Sequence, residues 1–221
     1  MATQAAPSTT RTDALAELKR DIASCTHCEP HLPLGARPVV QLSSSARILI
    51  IGQAPGTKVH RSGTPFSDPS GDRLREWMGV SDAEFYDERR VAIAPMAFCY
   101  PGVKSGGDAP PRPECARLWR GRVMEQLASV RLTLLVGAYA QDHALGRGGV
   151  TDRVRGFETF LPRFFPLPHP SWRSRIWMDR NPWFEDEVLP RLRSEIRTIL
   201  RSRAGETPAG ERGSIDWKES R

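Results

Sequence analysis

Four apolar runs recur along the chain, each ending in or close to glycine or proline. The first, Ala46 to Ile51, is β-branched and almost unbroken, the pattern of a strand buried on both faces, and it stops at Gly52-Gln53-Ala54-Pro55-Gly56. The others are Val91 to Phe98, Arg131 to Gly137 and Phe164 to His169. Between the runs the spacing becomes helical. Leu15, Leu18 and Ile22 predict a first helix, with Thr12 or Asp13 as its cap. Further helices are predicted over 72–78, 81–86, 114–128 and 138–145, with 150–157 a further helical stretch. The last spans 183–203, where Phe184, Val188, Leu192, Ile196 and Leu200 stand four apart and Pro190 predicts a kink or a second start. The Gly- and Pro-bearing stretches after Gly56 and from Cys99 to Pro113 read as loops.

Strands alternating with helices predict a parallel, doubly wound α/β sheet. Right-handed crossovers then bring 52–56, 95–99, 137–139 and 169–173 to one sheet edge, where open α/β sheets bind ligands. An isolated Gly-x-x-Pro-Gly would be a plain strand–turn–helix connection; the rest of the chain gives it weight.

Length and pattern predict one domain over 12–203, with disordered tails at 1–11 and 204–221. No run is long enough to span a membrane, and the N-terminus lacks a charged-then-apolar leader, so the cytoplasm is the expected compartment. A net charge of +6 favours a polyanionic partner. Four cysteines in a reducing compartment point to metal or to burial rather than disulfides. Cys25-x-x-Cys28 is a two-ligand clip, and Cys99 and Cys115 can complete four thiolates around an iron–sulfur cluster or a structural zinc. The alternative is four buried thiols packing as small hydrophobes.

These motifs, in this order, resemble the uracil-DNA glycosylase superfamily, and most closely its iron–sulfur, family-4 members. The likeness covers about residues 14–200 and rests on Cys25-x-x-Cys28, Gly52-Gln53-Ala54-Pro55-Gly56, Gly63-Thr64-Pro65-Phe66, Cys99, Cys115 and His169-Pro170-Ser171. The resemblance implies a three-layer α/β sandwich around a four-stranded parallel sheet. It implies a 4Fe–4S cluster on the four cysteines, and hydrolysis of the N-glycosidic bond of a damaged base in DNA. No membrane and no obligate protein partner are implied.

On that reading Phe66 stacks on the flipped base and His169 donates to the oxygen on which negative charge collects. Gln53 orients water or base. Ala54, Pro55, Gly56 and Met96 line the base site. Ser70, Gly71 and Ser171 contact phosphates, while Trp172 and Arg173 wedge into the vacated stack. A basic rim of Arg153, Arg155, Arg163, Arg173 and Arg175 would flank the pocket. Each residue has a plainer alternative: core packing for Phe66, a turn cap for His169, packing on Trp177 or Trp183 for Trp172, a solvated surface for the arginines.

Three motifs depart from the family pattern. Ala54 follows Gln53 where the efficient uracil enzymes carry an acid, and family 4 has Glu in place of Gln53. Asp68 is then the candidate for positioning water, with a helix N-cap before Pro69 as its competing role. Pro95 stands where family 4 reads uracil with an Asn, so backbone groups of 96–98 or Gln53 are candidate readers. Hypoxanthine, xanthine and oxidised pyrimidines join uracil as candidate bases. Trp172-Arg173 also differs, changing the wedge. Ala54 and Pro95 keep open a non-catalytic damaged-DNA-binding protein on the same scaffold, and the crevice would also suit a hydrolase of small nucleosides.

Overall fold

In a computed structural model of the protein the described residues are 11–202; the expected tails lie outside them, apart from Arg11. In chain order come α1 (Arg11–Ala23), a 3₁₀ turn (Glu29–His31), β1 (Ile48–Ile51), α2 (Thr57–Ser62), α3 (Pro69–Met78), α4 (Asp82–Phe85) and β2 (Val91–Ile93). A hairpin of β3 (Val103–Lys104) and β4 (Gly107–Asp108) leads to α5 (Pro113–Gln126), β5 (Leu132–Val136), α6 (Ala138–Leu145) and α7 (Val150–Arg155). A 3₁₀ turn (Phe157–Phe160), β6 (Phe164–Leu167), α8 (Ser174–Asp179), a π turn (Phe184–Val188) and α9 (Leu189–Arg201) complete the described chain.

β1, β2, β5 and β6 form one parallel sheet in the order β2-β1-β5-β6. Alternation along β1 divides the core into two layers. Ile48 and Ile50 pack with Leu74, Trp77, Phe85, Leu192 and Ile196 on one face. Leu49 and Ile51 pack with Leu18, Ile22, Trp119 and Val123 on the other. Helices therefore cover both faces, and the fold is the expected α/β sandwich with four parallel strands at its centre. Pro166 is tolerated because β6 is an edge strand, where a missing N–H breaks no second ladder.

The chain leaves β1 for β2 on one side and later fills β5 and β6 on the other, so the carboxyl end of β1 is the topological switch point. That is where Gly52 to Gly56 lies.

Several boundaries differ from the sequence expectation. β2 stops at Ile93, not Phe98, because Pro95 offers no N–H; the Ala94 and Pro95 carbonyls instead accept from buried Arg120, at 3.0 and 2.9 Å. α1 starts at Arg11, which puts Thr12 and Asp13 inside its first turn rather than at its cap. α3 starts at Pro69, three residues early, because Asp68 caps it. α2 and the β3–β4 hairpin are short elements within expected loops, and α8 lies in a stretch for which no element was expected. The Ser81/Glu84 capping box forms, and Pro190 lies in the first turn of a second helical segment, as expected.

Candidate functional site

A cavity opens at the switch point, lined by Gly52 to Gly56, Phe66, Asp68, Ser70, Pro95, Asp108 and His169. Its floor is fixed by the backbone. Met96 N–H donates to the Gly52 carbonyl at 2.9 Å and Ala97 N–H to that of Gln53 at 3.1 Å. Phe98 N–H donates to Cys115 Sγ at 3.3 Å. All three N–H groups that could have replaced an Asn as base readers are thus consumed. Met96 itself does not line the cavity. Its side chain is buried in the α1/α5 layer, with Sδ 3.6 Å from Arg120 Nη2.

Gln53 does line it, with its side-chain N–H₂ donating to the Ala109 carbonyl at 3.1 Å, which leaves the side-chain oxygen as its remaining acceptor.

Phe66 is held by a chain of constraints. Its φ is +53°, in the left-handed region that side chains seldom adopt. Its carbonyl accepts from Arg75 Nη1 and from Tyr86 Oη, both at 3.2 Å. Arg75 is buried and lies over the rings of Phe85 and Tyr86. The Phe66 ring passes 3.3 Å from where a Cβ on Gly52 would stand, and it meets Phe85 edge-on at 6.1 Å. Gly71 completes the clamp: a Cβ there would lie 1.7 Å from the Phe66 carbonyl oxygen. Gly71 is therefore a steric residue. Its N–H is also taken, by Asp68 Oδ1 at 3.0 Å, so the expected phosphate contact at Gly71 does not hold. Ser70 remains at the cavity wall.

His169 follows β6 and sits against Gly137, whose φ of +84° suits glycine and whose missing Cβ leaves room for the imidazole. Burial pushes the His169 pKa below its usual value, against the opposing pull of Asp68 and Asp108. Asp68 is the N-cap of α3 through Oδ1, yet its Oδ2 is 3.9 Å from the point a Cβ on Gly56 would occupy. The two roles considered for Asp68 are compatible, one per oxygen. Asp108 is the residue sequence reasoning missed. Its Oδ2 lies 3.8 Å from that same point. Partial burial raises its pKa, with His169 lowering it and Asp68 raising it further. The only sequence signal for Asp108 was an acid in a Gly-rich loop just before the Pro110-Pro111 pair.

Outside the cavity, Trp172 is 70% exposed and among the described residues stacks only with the Arg173 guanidinium, 5.0 Å from its ring centroid. Trp177 and Trp183 pack on each other instead. The Ser171 carbonyl accepts from Arg73 Nη1 at 2.5 Å, which ties the 169–173 turn to α3. Of the proposed basic rim, Arg153 is buried, pairing with Asp142 and the Gly146 carbonyl, and so leaves the rim. Arg155 and Arg163 lie over Trp183 and Phe164.

A second cavity is ringed by Cys25, Cys28, Cys99 and Cys115, with Leu32, Ala97, Phe98 and Trp119 as apolar walls. Burial pushes the Cys99 thiol up to about 11 and the Cys115 thiol up to about 12. Among the described residues no three His, Cys, Asp or Glu side chains group closely enough to hold a single ion. Four thiols spread around one apolar cavity suit a group that spans it, as a cubane cluster does, whereas an ion draws its thiolates to about 2.3 Å of one point.

No helix among the described residues is long and apolar enough to cross a membrane. The family model described as the uracil DNA glycosylase superfamily matches residues 40–193, a span that includes every residue of the first cavity except Val39 and excludes Cys25 and Cys28. Among solved structures, the solution NMR structure of a provisionally named uracil DNA glycosylase from Methanosarcina acetivorans is similar at 18% identity and a TM-score of 0.43. That match covers 71% of this chain and 94% of the other.

Proposed function

This chain belongs to the uracil DNA glycosylase superfamily, and on that premise we propose that it excises uracil or a related deaminated base from DNA by hydrolysis, leaving an abasic site. The observation that carries the proposal is the switch-point cavity, which gathers an aromatic face, an imidazole and two carboxylates around one opening.

Phe66 stacks on the extruded base, its ring fixed before any substrate arrives. His169 donates an N–H to the base oxygen that gains charge as the C–N bond breaks. A neutral imidazole serves, and desolvation in the cavity favours that form. The Gln53 oxygen and the acids supply acceptors, which suit a base edge carrying N–H groups. Trp172 and Arg173, exposed beside the opening, fill the stack the base leaves.

The four cysteines fit a 4Fe–4S cluster, which when bound would cross-link the end of α1 to the loop after β2 and the start of α5. We assign it a structural role. Iron and inorganic sulfide in near-stoichiometric amounts support it; zinc in their place overturns it.

The function is tested by a base-release screen. Single- and double-stranded oligonucleotides carrying uracil, hypoxanthine, xanthine or hydroxymethyluracil are incubated with wild type and His169→Ala, then treated with alkali. Cleavage by wild type that the variant lacks is expected. Tight binding to these DNAs with no cleavage would replace the proposal with a non-catalytic damage-binding protein.

A further inference from the structure

We propose that Asp108, carried into the cavity by the β3–β4 hairpin, is the general base that activates the water for base excision. The inference rests on the glycosylase reading above.

Hydrolysis needs a group to take a proton from the attacking water. Three titratable side chains line the cavity among the described residues: Asp68, Asp108 and His169. His169 is the donor to the leaving base. Asp68 has one oxygen committed to the Gly71 N–H. No hydrogen bond or ion pair among the described residues engages the Asp108 carboxylate.

The hairpin is built to place it. Gly102 and Gly106 at φ +94° and +77°, with Ser105 at +50°, make the reversal, and Ala109 N–H closes it on the Gly102 carbonyl at 2.8 Å. The next anchor is the Gln53 side chain, which donates to the Ala109 carbonyl. The residue after Asp108 is thereby tied to the cavity floor. Asp108 Oδ2 and Asp68 Oδ2 both approach the space beside Gly56 that a methyl group would fill, at 3.8 and 3.9 Å from its centre. We place the attacking water in that space, within reach of both carboxylates. The glycine leaves it open without strain, since its φ is −81°.

In the step, the water oxygen bonds to C1′ of the deoxyribose as the C1′–N bond breaks. The electron pair of that bond leaves with the base. The water proton passes to Asp108 and then to solvent, and the released base takes a proton from solvent. The titratable and charged groups facing Asp108 are His169 and Asp68 across the cavity and the Arg173 guanidinium beside Gly107.

The test measures base release by wild type, Asp108→Asn and Gly56→Ala, with kcat, KM and pH profile for each. Asp108→Asn should lower kcat about 10²–10⁴-fold with KM within about twofold, and should lose the acid limb of the wild-type profile. Gly56→Ala should lower kcat with unchanged thermal stability, because the methyl occupies the water's space. An Asp108→Asn enzyme with wild-type kcat, or with reduced kcat and the acid limb intact, overturns the assignment. So does a changed base preference at full rate, which would make Asp108 a base reader. If wild type releases no base from any substrate, the glycosylase reading falls and takes this inference with it. An active wild type matched by Asp108→Asn removes this inference alone.

Discussion

The segment 94–99 walls both cavities: Pro95 faces Phe66 and His169, whereas Ala97, Phe98 and Cys99 face the other three cysteines. The two sides differ in what defines them. The cysteine cavity is apolar apart from its rim and repeats one reactive group four times. The switch-point cavity contains no repeated motif. It mixes a glycine turn, a phenylalanine in a left-handed conformation, an imidazole and two acids from four separate stretches of chain. A site made of one residue type depends on whether those side chains meet; a site of mixed groups depends on how the backbone aims each one. Disruption of the first should be felt in stability, and disruption of the second in chemistry.

The largest expected effect tests the stability side. Cys99→Ser should lose its iron and lower Tm by on the order of 10 °C, with residual base release per folded molecule little changed; thermal melts beside active-site titration would read both. His169→Ala should do the reverse, lowering kcat about 10²–10³-fold at unchanged Tm, measured by single-turnover base release. Gly71→Ala breaks the division, because that residue belongs to the clamp on Phe66 and its new methyl would collide with backbone. We expect a loss of about 3 kcal/mol in denaturant unfolding together with weakened base binding. Phe66→Ala should weaken substrate binding by about 1–3 kcal/mol, the usual contribution of a stacked base, with a smaller effect on kcat.

The smallest effect sharpens the comparison through pH. The folded-state pKa of Asp108 is raised, so the native protein binds its proton more readily than the unfolded chain does. Ionising it therefore costs stability as pH rises from the ordinary value of 3.8 through the folded value. Asp108→Asn should melt slightly higher than wild type at neutral pH, and the gain should vanish below that ordinary value. A variant less stable than wild type at neutral pH would mean the carboxylate has a structural partner.

The sequence alone was enough to place the four strands of the parallel sheet, the sheet edge on which 52–56 and 169–173 fall, the buried faces of α1 and α9, and the cysteine set. Each of these is written in local periodicity or residue type, and burial follows directly from it. It also held both roles of Asp68, without showing that one oxygen could serve each. Only the tertiary structure decided the rest. The donors at 96–98 were invisible as spent groups because their partners, Gly52, Gln53 and Cys115, are distant in sequence. Gly71 looked like a phosphate contact until Phe66 was seen to fill the space its side chain would need. Asp108 lies at the end of a two-residue strand with no periodicity to detect. It becomes a functional candidate only because the hairpin's turn and the Gln53–Ala109 hydrogen bond carry it 55 residues along the chain to the same point as Gln53.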